Sequence, residues 1–149
     1  MNSEDPIKQR VLGLDIGSKR IGLALWEPAS KLTRPLEVRQ RKSLKEDLRY
    51  FEELFKKENI EALVVGLPIT LSGQISSSTE TALFWIDQFN THFKLPVYSF
   101  DESLTTKEAF RIMEGESLET KKKKKDSIAA ALILEGFMQD AQARNTRNK

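Results

Sequence analysis

A chain of 149 residues, 39% hydrophobic and 31% charged, has the length of one ordinary domain. It is too apolar for a disordered chain and too polar for a membrane protein. Its 24 Lys/Arg and 22 Asp/Glu give a net charge of +2, yet residues 121–149 hold net +5 and residues 1–120 net −3, a split that suits contact with a polyanion or a plain solvated tether. With no cysteine, a disulfide framework, a Cys nucleophile, an iron–sulfur cluster and a thiolate zinc site are all excluded.

Arg10–Asp15 is an apolar run closing on an acid, and Ile21–Trp26 follows a turn centred on Gly17; the pair predicts an antiparallel hairpin. A third extended piece is expected at Leu36–Arg39, after Pro35. The period then changes. Apolar residues at 44, 48, 51, 54 and 55 mark one face of a helix, opened by a capping box of Ser43 and Glu46. Ala62–Val65 reads as a strand buried on both faces and stopped by Gly66-Leu67-Pro68. A second box, Ser77 with Glu80, opens a helix through Leu83, Phe84, Ile86 and Phe89. Val97–Phe100 is a short strand closing on Asp101-Glu102, and Thr105 with Glu108 predicts a helix ending near Gly115. Glu116–Lys125 is expected as a charged loop, followed by a helix from about Asp126 to Gln142 and a frayed end.

This order predicts an α/β fold with a mixed five-stranded sheet: three antiparallel strands first, then parallel strands, with helices on both faces. A single domain over residues 1–149 is expected, with flexible tails at about 1–9 and 143–149. Met1–Arg10 carries no apolar run, and Ile128–Leu134 falls far short of the roughly 20 residues a spanning helix needs. The expectation is a cytoplasmic protein with no membrane partner.

In open α/β sheets ligands bind outside the carboxyl ends of the strands. Asp15 ends the first strand, Asp101 and Glu102 end the fifth, and Asp126 is expected to open the last helix. Carboxylates gathered in one place repel unless cations join them, and a hard carboxylate cage takes Mg²⁺ or Mn²⁺, whose usual substrate there is a phosphate ester. Gly17, Ser18, Lys19 and Arg20 form a turn after Asp15 that offers backbone N–H groups and two cations to a phosphate. Lys121, Lys122, Lys123, Lys124 and Lys125 suit a nucleic-acid backbone without reading its sequence.

Four blocks, L-G-L-D-I-G-S-K-R-I-G-L-A-L (12–25), V-V-G-L-P (64–68) with Gly73, D-E-S-L-T-T (101–106) and K-K-D-S-I-A-A-A-L-I-L (124–134), resemble the signature blocks of the YqgF/RuvX family in order and spacing. That family is RNase H-like and RuvC-related, and its bacterial members are associated with processing the 5′ end of pre-16S ribosomal RNA. The resemblance implies an RNase H-like fold and two-metal hydrolysis of phosphodiesters. By position, Asp15 matches the family's first-strand aspartate, Asp101 and Glu102 its second acidic block, and Asp126 the aspartate of its final helix. Asp15 would then bind both ions, Asp101 or Glu102 one, and Asp126 the other. Two departures stand out. The family usually has Arg after D-E, where this chain has Ser103, so that contact is either lost or supplied by Lys19, Arg20 or Arg111. RuvC-like relatives also place the second acid beside the first strand, whereas here that neighbouring strand ends in Gly66.

Alternation puts Asp101 and Glu102 on opposite faces, and the residues alone leave open which belongs to the site. Asp15 also fits a turn-forming role before Gly17, and Asp126 an ordinary helix cap. His92 reads as an exposed residue without a role, and Trp26 and Trp85 as packing. The implied partner is a structured nucleic acid, pre-rRNA or branched DNA, bound by a monomer or weak homodimer. Two rival readings are a Holliday junction resolvase and a non-catalytic RNA-binding ribosome-assembly factor. D-I-G-S-K-R also resembles the first phosphate loop of sugar kinases, but the chain has no second D-x-G and is too short for two lobes.

Overall fold

The computed structural model describes residues 5–68, 75–101 and 118–147, the last range without the side chains of 118–126 and 144–147. The expected hairpin forms: β1 (Val11–Ile16) pairs antiparallel with β2 (Arg20–Glu27), Val11 opposite Trp26 and Ile16 opposite Ile21. On the far side of β2 lies β3 (Leu32–Gln40), antiparallel. On the far side of β1 lie β4 (Ala62–Leu67) and β5 (Val97–Asp101), both parallel. The sheet order is β3-β2-β1-β4-β5, the mixed RNase H-like arrangement expected.

Strand β3 starts at Leu32 rather than Leu36. Pairing continues through Pro35, because a register shift beside Leu23/Ala24 absorbs the irregularity and an edge strand tolerates the missing N–H.

Helices α1 (Leu44–Lys57) and α2 (Ser77–His92) cover one face. There Leu12, Leu14, Leu23, Leu63 and Val65 meet Phe51, Trp85 and Phe89, all fully or almost fully buried. Phe51 stands edge-on to Trp85 at 5.8 Å and to Phe89 at 5.3 Å. Each such buried side chain contributes about 1.5–3 kcal/mol, so this aromatic layer locks α1 and α2 to each other as well as to the sheet. The α1 cap is as expected, with the Glu46 N–H donating to Ser43 Oγ at 3.1 Å. The α2 cap is Ser76, not Ser77: the Thr79 N–H donates to Ser76 Oγ at 3.2 Å. Thr79 selects it, since its hydroxyl also reaches Pro68 O at 2.6 Å and ties the helix start to the end of β4.

Helix α3 (Leu118–Arg147) covers the other face, packing Ala130, Ile133, Leu134 and Phe137 on Val11, Ala24 and Val64. A Cβ on Gly13 would stand 2.9 Å from Leu134 Cβ and 3.1 Å from Ala130 O, so only glycine lets the helix lie this close to β1.

Two expectations about α3 fail. The charged stretch before Asp126 is helical from Leu118, and the helix continues past Gln142 to Arg147. Lysine is nearly as good a helix former as leucine, and extending a helix from the apolar 128–134 run costs far less than starting one. Asp126 is therefore an interior residue, not the opening one. At the other end, Pro6–Lys8, expected within a tail, makes a 3-10 turn capped by Asp5, and Ile7 O accepts from Trp26 Nε1 at 3.0 Å. The helix expected at 105–115 lies outside the described residues.

Candidate active site

The alternation of β1 decides what Asp15 faces. Leu12, Leu14 and Ile16 point to the α1/α2 side, so Val11, Gly13 and Asp15 share the α3 side. Asp15 is half-buried at the carboxyl end of the strand, opposite Gly22. Its neighbour across β4 is Gly66, one position past the Leu14–Val65 pair, so no side chain stands between Asp15 and β5 in that row.

Directly after Asp15 the chain turns. The Gly17 N–H donates to Arg20 O at 2.8 Å, closing a tight loop. Gly17, Ser18, Lys19 and Arg20 line a shallow recess of about 190 Å³, bringing together the four turn residues expected to bind phosphate. A fifth residue joins them that the sequence did not single out. The Arg41 N–H donates to Lys19 O at 2.8 Å, and Arg41 Nη1 donates to Gly17 O at 2.9 Å and Ser18 O at 3.1 Å. The signal lay in strand pairing: Arg20 opposite Gln40 brings the residue after Gln40 beside the turn.

The second acidic block sits two strands away. Asp101 pairs with Leu67 and Phe100 with Gly66, a lateral step from β1 of about 10 Å. Phe100 and Tyr98 pack on the α3 side and Val97 on the other. Asp101 thus has the parity of Val97 and lies on the α1/α2 side, opposite to Asp15. The structure does not bring these two carboxylates together. Glu102, Ser103, Arg111 and Gly73 lie outside the described residues.

For the last helix the backbone is informative. Ala130 lies against Gly13, and Asp126 precedes it by four residues, one turn along the same helix face. Since the helix begins at Leu118, a capping role for Asp126 is removed. Lys121–Lys125 occupy the turns before it on helical backbone, not a loop. The side chains of 121–126 lie outside the described residues, and among those described no three metal-binding side chains gather.

As expected, His92 is exposed and Trp26 and Trp85 are buried. Among the described residues no helix is long and apolar enough to cross a membrane.

The family profile described as "RuvX: Holliday junction resolvase" matches residues 9–140. A Desulforudis audaxviator protein named "Putative pre-16S rRNA nuclease" is 38% identical over 140 residues, covering 92% of this chain and 99% of that protein. One of the same name from Caldanaerobacter subterraneus subsp. tengcongensis is 37% identical over 132 residues, covering 87% and 95%. Among solved structures, the yeast mitochondrial Holliday junction resolvase Ydc2 aligns with TM-score 0.55 at 16% identity, over 95% of this chain and 82% of that one. T. thermophilus RuvC, in complex with a Holliday junction substrate, aligns with TM-score 0.50 at 20% identity, over 84% and 91%. These two likenesses are of fold alone. The profile takes in all five strands and most of α3, and the relatives align almost end to end: the chain belongs to the RuvX family.

Proposed function

We propose that this chain is a metal-dependent nuclease acting as one RNase H-like domain in the cytoplasm. Its substrate in this reading is the 5′ end of precursor 16S rRNA. The names of its relatives support the substrate. The chemistry rests on one observation: the Gly13–Ala130 contact has Asp15 two residues away along the strand and Asp126 one turn away along the helix. Both acids flank a single close approach of β1 and α3.

Asp15 and Asp126 hold the metal in this reading. Of the second block, Glu102 is the proposed third ligand, because Asp101 has the parity of the opposite face. Hard carboxylate oxygens at a half-exposed strand end fit Mg²⁺ or Mn²⁺, and a pair of such ions would supply an activated water and a counter-charge for the leaving oxygen. The protein's own groups bind and orient. Lys19, Arg20 and the Ser18 N–H take a phosphate at the recess, Gly17 closes the turn that presents them, and Lys121–Lys125 hold the backbone further out. No side chain is needed as general base.

The test is cleavage by purified protein of a pre-16S rRNA 5′ fragment and of a four-way DNA junction, each with Mg²⁺ or Mn²⁺. Asp15→Asn should lower RNA cleavage by about a thousandfold or more while leaving affinity nearly unchanged. Wild-type turnover by that variant would overturn the reading. The family description favours a second reading, junction resolution, which requires a symmetric dimer to cut two strands; cleavage of the DNA junction alone would select it.

A further inference from the structure

We propose that Arg41 is a positioning residue: it holds Gly17, Ser18 and Lys19 in the conformation that lets the turn grip a nucleic-acid phosphate. The proposal rests on the reading of that turn as a phosphate site.

The turn does little to hold itself. Gly17, Ser18 and Lys19 are all exposed, so burial does not fix them, and within the turn the Gly17 N–H donates to Arg20 O. Arg41 supplies three more, one from its backbone to Lys19 O and two from Nη1 to Gly17 O and Ser18 O. Three successive carbonyls are thereby drawn to one side. A planar guanidinium can serve two neighbouring carbonyls from one nitrogen while the rest of the group stays anchored; a lysine ammonium on its flexible stem has no such fixed geometry.

The clamp is itself fixed from the core outward. Asp47, 1% exposed, accepts from the residues on either side of Arg41: from Arg39 Nη2 at 3.1 Å and from the Lys42 N–H at 3.0 Å. The Arg41 guanidinium lies 5.8 Å from the centre of the buried Trp85 ring, so α2 backs it from behind. Its Nε is buried and has no hydrogen-bond partner among the described residues, so Nη1 carries the side chain's bonds to the turn.

The choice of acceptor matters for charge. Carbonyl oxygens are dipoles, so Arg41 keeps its full positive charge beside Lys19 and Arg20. A turn held through carboxylates would have cancelled the field that attracts a phosphate.

The experiment measures binding of a fluorescein-labelled RNA hairpin by anisotropy, and steady-state cleavage, for wild type, Lys19→Ala, Arg41→Lys, Arg41→Gln and the double variant Lys19→Ala/Arg41→Lys. Arg41→Lys keeps the charge and loses the planar guanidinium that holds Nη1 between the two carbonyls, and should weaken binding about tenfold. KM should rise by a similar factor with kcat nearly unchanged. In the Lys19→Ala background the same change should cost little more, because Arg41 acts through the turn. Arg41→Gln, which keeps an NH2 group with two N–H donors but loses the charge, should weaken binding as well and stands in should the lysine variant fold poorly. Wild-type affinity of Arg41→Lys, or a loss that adds in full to that of Lys19→Ala, would overturn the proposal while the phosphate reading stands. Wild-type affinity of Lys19→Ala would instead overturn the phosphate reading, and this proposal with it.

Discussion

Arginines secure both ends of the sheet, and they do so with opposite electrostatic results. At the amino end, Arg10 meets Glu27 at 3.4 Å and Glu58 at 3.3 Å, and its backbone N–H donates to Glu61 Oε1 at 2.9 Å. Glu27 takes Arg34 as well, at 3.0 Å. Both arginines there face carboxylates. At the carboxyl end, Arg41 faces backbone carbonyls, and its charge is left standing next to Lys19 and Arg20. Arg10 and Arg34 are neutralised ties, as Arg39 is with Asp47 at the carboxyl end. Arg41 differs from all three in that its hydrogen-bond partners carry no charge. That difference supports the proposed reading of the carboxyl end as the binding end, where open α/β sheets place their ligands.

The contrast is most exposed to test at Asp47, because the charge left standing at the carboxyl end depends on a buried carboxylate behind it. Asp47→Ala removes the partner of Arg39, whose side chain is only 16% exposed, and leaves the Lys42 N–H without its acceptor. Breaking such a pair should cost about 3 kcal/mol, or a melting temperature lower by roughly 10 °C for a domain of this size. RNA affinity should fall as well, since the segment bearing Arg41 loses its anchor. Unchanged affinity in a folded Asp47→Ala protein would detach Arg41 from the core and narrow the contrast to local contacts.

Arg10→Ala probes the other end. It loses two part-exposed ion pairs and the bond from Nε to Glu58 O at 2.6 Å, worth together about 1–2 kcal/mol, with RNA binding and its salt dependence unchanged. Thermal melting and anisotropy titrations at two salt concentrations measure both halves. A weaker salt slope in Arg10→Ala would put the amino end into the nucleic-acid interface and abolish the distinction.

Much of this was legible in the sequence, for reasons that differ by residue. The apolar run of β1 and the Ser43 cap are local signals, written in neighbouring residues, and both appear as read. The lysine run misled because its charge density outweighed its helix propensity, and that error displaced Asp126 from the interior of α3 to its start. Alternation separated Asp101 from Glu102, but only the pairing of Phe100 with Gly66 fixed which face Asp101 takes. Arg41 was traceable only through the pairing of β2 with β3: its partners are backbone carbonyls twenty-odd residues away, and carbonyls have no letter in a sequence.

The smallest effect is expected at Glu27, and it tests whether neutralisation at the amino end is itself stabilising. The hydrogen bond from Arg34 is the main influence holding the Glu27 carboxyl below its ordinary value of 4.5; burial works against it, and Arg10 adds to the lowering. A carboxyl whose folded value is depressed stabilises the fold above the unfolded value, and that contribution is lost as pH falls through the folded one. Melting temperature followed from pH 7 downward should therefore drop faster in wild type than in Glu27→Gln once the pH passes below about 4.5, so that two curves separated at neutral pH converge in acid. The gap at pH 7 should be slight, because solvent screens an exposed pair. Parallel curves would mean that the Arg34 and Arg10 contacts with Glu27 order side chains without stabilising the fold, leaving Glu58 as the partner through which Arg10 holds the amino end.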